Sequence, residues 1–158
     1  MDAWSTAAVT VLGGTTVYVS GQLFSKLIFE PALELRKTIG LVATALTEYA
    51  NLYSSAGATH DFLIQPSIEA SKSIRRLAAQ MQAQAYGIIG YGVLQKLSVV
   101  PPRDDVIAAV KELIGLSNSF PGMAVATGQA FINIKTAATI ERLLRLYGRR
   151  DAGAQPGN

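Results

Sequence analysis

The stretch AWSTAAVTVLGGTTVYVSGQLFSK, residues 3–26, carries no charge between Asp2 and Lys26, and its folding decides how the whole chain is organised. Its 23 uncharged residues, 3–25, suffice to cross a hydrocarbon layer about 30 Å thick at about 1.5 Å per helical residue. Seven of residues 3–24 are Ser, Thr or Gln and three are Gly, which weakens the drive to insert. A secretory signal fits poorly, because no basic residue precedes the apolar run. Two features favour a membrane span. Lys26, Arg36 and Lys37 follow the segment and no basic residue precedes it, which by the positive-inside rule puts the N-terminus outside and the bulk of the chain in the cytoplasm. Gly14, Gly21 and Ser25, at spacings of seven and four, share one helical stripe suited to self-association, while Trp4 and Tyr18 fall near the ends as interfacial aromatics do. Two other readings stay open: a helix buried by partner chains, and a strand pair turning at Gly13–Gly14 within VTVLGGTTVYV.

Composition agrees with an apolar environment or a large interface. Of the 158 residues 49% are hydrophobic and only 16% charged, against about 25% in a typical soluble domain. Mean hydropathy is +0.27. A net charge of +3 is too mild, and too scattered, to indicate nucleic-acid binding. The absence of cysteine excludes disulfides and cysteine-ligated metal centres.

Beyond Lys26 the pattern is helical. Ile28, Ala32, Leu35, Ile39, Val42, Leu46, Tyr49 and Tyr53 recur at steps of four and three, a seam predicting one long helix from Ala32 to Tyr53. Pro31 marks a joint between this helix and the first segment, and Glu30 and Glu34 suit a helix start. SSAGATHD, residues 54–61, reads as a loop, and Ser67 after Pro66 reads as the N-cap of the next helix. That helix turns Ile74, Leu77, Ala78, Met81 and Ala85 inward and Lys72, Arg75 and Arg76 outward, before Gly87, Gly90 and Gly92 interrupt it. After Pro101–Pro102 a helix opens on Asp104 and Asp105 and points Val106, Val110, Leu113 and Ile114 inward. A last helix, from about Gly128 to Tyr147, aligns Ile132, Thr136, Ile140, Leu143 and Tyr147 on one face. The tail RRDAGAQPGN reads as disordered from its composition. The expected fold is all-α. Residues 1–25 form an apolar transmembrane helix, 26–148 an antiparallel bundle of about four helices, and 149–158 a tail.

No complete catalytic constellation emerges. His60–Asp61 contains the only histidine, too few ligands for a metal shell. Glu30, Glu34, Asp104 and Asp105 have helix-start explanations, and Ser71–Lys72 point in different directions on a helix. The expectation is therefore a non-enzyme without cofactor or metal. Arg142, Arg145, Arg149 and Arg150 form the densest basic patch, read either as lipid headgroup contacts or as an exposed helix end.

FSKLIFEPALELRKTIG, ASKSIRRLAAQ and DVIAAVKELIGLSNS, within residues 20–120, resemble a family of small bacterial proteins. That family carries an N-terminal membrane segment and a helical cytosolic domain, with no assigned catalytic residues. The resemblance implies a bacterial inner-membrane setting. The functional expectation is a membrane-anchored helical protein that forms homo-oligomers and presents a cytosolic domain to a protein partner. The alternatives are a soluble oligomeric adaptor that buries its first helix in an assembly, and a membrane-perturbing effector.

Overall fold

The computed structural model describes residues 3–55, 61–120 and 128–146, and among these there are seven α-helices and no strand. The stretch 3–24 is one helix, α1 (Ala3–Phe24), so the hairpin reading is overturned. The transmembrane reading gains no support, because no helix among the described residues is long and apolar enough to cross a membrane. At 22 residues α1 has the length. Its glycines, hydroxyls and one amide dilute its apolarity too far. Thr15 and Thr16 return their hydroxyls to the carbonyls of Val11 and Leu12, both at 2.8 Å.

The joint expected at Lys26–Pro31 is a five-residue π-helical turn, Ser25–Phe29, leading without a break into α2 (Glu30–Glu48). Pro31 has no N–H and its ring crowds the preceding turn, so the hydrogen-bond ladder must widen there. It does so through the Glu30 N–H, which donates to the Ser25 carbonyl five residues back. The rings of Phe24 and Phe29 meet edge to face across the turn, 5.6 Å apart.

The seam read along α2 is real. Ala32, Leu35, Ile39, Val42 and Leu46 are all buried. The helix nonetheless breaks at Tyr49, whose backbone leaves helical values, and a short α3 (Ala50–Ser54) carries Tyr53 inward separately. The next helix, α4 (Asp61–Gly87), begins six residues earlier than the proline suggested. Pro66 lies inside it and Ser67 is no N-cap: it is fully buried mid-helix, its hydroxyl unpartnered. As the sixth residue of α4, Pro66 lacks the N–H for one ladder bond, a loss the packing of the helix tolerates. The inward set Ile74, Leu77, Ala78, Met81 and Ala85 is buried throughout.

Gly90 supplies a left-handed residue that turns the chain into α5 (Tyr91–Lys96), and Gly128 does the same before α7 (Gln129–Leu144). Between them α6 (Arg103–Ser117) opens on Asp104 and Asp105, as expected of a helix start. The core forms where α2, α4, α6 and α7 pack, with Leu35, Ile74, Met81, Leu113, Phe120 and Ile140 among its fully enclosed side chains. Two phases need correcting. Ile114 is exposed, and α7 buries Asn133, Ala137, Ile140 and Leu144, leaving Ile132 exposed. A buried asparagine lies outside any count of apolar spacing, and it moved the apparent stripe of α7 by one residue.

Candidate functional site

The residues singled out from the sequence do not converge. Gly14, Gly21 and Ser25 lie exposed on α1 and the π turn, and a methyl group built on either glycine would meet nothing within 4 Å. No contact within one chain therefore demands these glycines. Glu34 pairs loosely with Lys37 at 3.9 Å, both exposed. Ser71 is buried while Lys72 faces solvent, so that pair cannot cooperate. Arg142 and Arg145 stand exposed at the end of α7; Arg149, Arg150 and His60 lie outside the described residues. Among the described residues no three side chains of His, Cys, Asp or Glu are grouped to hold a metal ion.

A partly buried polar cluster surrounds the end of α6. The Ser71 hydroxyl donates to the Ser117 carbonyl at 2.8 Å, and Arg75 Nε donates to Ser117 Oγ at 3.1 Å. The Arg75 guanidinium also reaches Asn118 Oδ1, so this arginine turns back onto the bundle. On the other side Asn133 Oδ1 receives Ser119 Oγ at 2.6 Å and Gln129 Nε2 at 3.0 Å. The cluster joins α3, α4, α6 and α7 and satisfies carbonyls that a helix end leaves unpaired. It contains no nucleophile–base pair and is a structural clasp.

A groove of about 350 Å³ lies elsewhere, lined by α2 (Arg36, Ile39, Gly40, Ala43), the α5–α6 link (Ser98 to Pro101) and the end of α7 (Leu144 to Leu146). That is within the range of small-ligand sites, about 300–1,000 Å³. Both helices that end there close with the same motif. Beyond α5 the Val99 N–H donates to the Leu94 carbonyl and the Ser98 N–H to that of Gln95. Beyond α7 the Leu146 N–H donates to the Glu141 carbonyl and the Arg145 N–H to that of Arg142. The left-handed position of this motif usually falls to glycine. Here Ser98 (φ 58°) and Arg145 (φ 55°) occupy it, the two non-glycine residues with positive φ among those described. Each costs about 1–2 kcal/mol of backbone strain.

The link that walls the groove is braced from below. The Tyr91 hydroxyl donates to the Pro101 carbonyl at 2.8 Å, and the Arg103 guanidinium stacks 4.6 Å from the Tyr91 ring centroid. Burial raises the Tyr91 phenol above its ordinary 10.0; Arg103 opposes this and Asp105 adds to it. Sequence reading pointed to Arg145 but missed Arg36 as its companion, since the two are far apart in the chain and meet only through packing. No family model matches the chain, and no curated protein or solved structure does so either.

Proposed function

We propose that the protein is a non-enzymatic helical interaction protein that self-associates through α1 and presents its bundle to a protein partner. One observation carries this reading. Among the described residues, the large apolar side chains of α1 (Trp4, Val11, Leu12, Val17, Tyr18, Val19, Leu23 and Phe24) are exposed, and the substantial packing partner of α1 is the π turn that follows it. Those residues are distributed around the whole circumference of the helix rather than along one stripe, and a helix apolar on all sides belongs inside an enclosure. Since α1 is not apolar enough to cross a membrane, copies of α1 are the enclosure that best fits. Each large side chain so sheltered contributes about 1.5–3 kcal/mol.

Sedimentation velocity of the full chain, with and without detergent, tests the reading. The expected result is a single large species without detergent, dispersed by the pair Val11→Asp and Val17→Asp on two different faces of α1. A wild-type chain that sediments as a monomer without detergent overturns it.

A further inference from the structure

We propose that the groove between α2, the α5–α6 link and the end of α7 binds the phosphate of an anionic phospholipid at a membrane surface, with Arg36 and Arg145 as its ligands. Ile39, Ala43, Val99, Val100 and Leu144 supply the apolar part of the walls, and Arg36, Ser98 and Arg145 contribute to a polar part of similar extent. The charged residues in the lining are two arginines and no carboxylate. Neither arginine has an ion-pair partner among the described residues. A guanidinium presents two parallel N–H groups that match phosphate oxygens, so two of them beside one groove form a receptor for that group.

Two carbonyls of each helix end are bonded within the chain: those of Gln95 and Leu94 accept from the N–H groups of Ser98 and Val99, and those of Arg142 and Glu141 from Arg145 and Leu146, so these bonds are made by backbone and not by the arginine side chains. The strained backbone points the same way. Both non-glycine left-handed residues of the described chain sit in this one lining, and strain of this kind gathers where geometry is held for a ligand.

The adjoining surface selects a lipid over free phosphate. Ile89, Val93 and Leu97 stand 61%, 62% and 68% exposed along α5 and its approach, beside the exposed Lys96. Leu97 runs directly into the groove wall at Ser98. Exposed apolar residues bordered by cations are the surface composition that settles among headgroups and upper acyl chains. Inorganic phosphate has no use for them.

The test is flotation of the full chain with phosphatidylcholine vesicles, with and without phosphatidylglycerol. Wild type is expected to prefer the anionic vesicles. Arg36→Gln combined with Arg145→Asn, which tolerates the left-handed backbone, should reduce that preference about thirtyfold, the effect of two cations at an anionic surface. The exposed Leu97→Asp should reduce it too. Lys72→Gln with Arg76→Gln removes the same charge from the outer face of α4 and should preserve most of it. All these side chains are exposed, and unchanged thermal unfolding verifies that the variants fold. Equal flotation of wild type with both vesicle types overturns the proposal, since α1 alone would then account for attachment. Equal loss in the α4 pair overturns it in favour of net charge. Release from the vesicles by inorganic phosphate at matched ionic strength, with Leu97→Asp behaving as wild type, overturns the lipid assignment in favour of a free phosphate.

Discussion

The side-chain amide of Asn133 on α7 donates to the backbone carbonyl of Tyr53 at 3.0 Å, tying the end of α3 to a helix eighty residues later in the chain. The same amide lies 3.4 Å from the Ser119 carbonyl, and the side chain is 1% exposed. A buried carbonyl deprived of its donor retains its full desolvation cost.

Asn133→Ala should therefore destabilise the protein by about 2–3 kcal/mol. Gln129→Ala, which removes one partly buried contact to the same asparagine, should cost less than about 1 kcal/mol. Urea unfolding with an unchanged m-value distinguishes them, and equal midpoints would show that the clasp does not depend on Asn133.

The buried faces of α2 and α7 can be tested in one series. Leu46→Ala and Ile140→Ala, each 1% exposed or less, should cost about 2–5 kcal/mol. Lys37→Ala, fully on the outside of α2, should change stability by less than about 0.5 kcal/mol. Ile132→Ala should stay well below Ile140→Ala, because Ile132 is 52% exposed. A damaging Ile132→Ala would restore the phase that apolar spacing suggested and contradict the structure.

Tyr91 governs an alkaline limb of stability. Its folded-state pKa lies above the unfolded value because burial disfavours the phenolate. Above pH 10 the unfolded state thus holds fewer protons than the folded one, and stability falls as pH rises. The contribution is fully present below the unfolded pKa and is lost as pH climbs through the folded one. Tyr91→Phe should cost about 1–2 kcal/mol at neutral pH, by orphaning the Pro101 carbonyl. It should also flatten the decline above pH 10. Parallel alkaline limbs for wild type and variant would exclude Tyr91 as the group responsible.

If α1 self-associates as proposed, the distribution of apolar residues around it also sets a lower bound on the assembly. A dimer covers one face of each helix, whereas exposed apolar residues on every side call for at least two neighbours per copy, hence a species larger than a dimer. Gly14→Leu with Gly21→Leu adds bulk where nothing in one chain obstructs it. This pair should change the stoichiometry of the assembly without shifting the unfolding of the bundle. Unaltered sedimentation would show that the glycines lie away from the contact.

The α2 seam and the inward face of α4 were legible in the sequence because a regular helix packed on one side obeys a fixed period. Ile114, Ile132 and the start of α4 were not. Ser67 and Asn133 put polar atoms where periodicity expects methyl groups, and Pro66 imitates a boundary that packing overrides. The break at Tyr49 has neither glycine nor proline to announce it. The groove was hidden for a related reason: Ser98 and Arg145 hold a conformation for which glycine is the usual signal. The membrane reading rested on a long uncharged run, and among the described residues no helix combines that length with the apolarity a span requires.

The π turn at Ser25–Phe29 acts as an angular offset between shaft and head. Relative to an α-helix it accommodates one additional residue, and one residue corresponds to about 100° of rotation about the axis. In the proposed self-association through α1, this single extra step would set the direction in which each bundle leaves its helix. Deleting Leu27 would return the ladder to α-helical bonding and turn the bundle about the α1 axis by that angle. The surface of α1 would stay the same while the bundle took a new direction, so in the proposed assembly the spacing between neighbouring bundles would follow from these five residues.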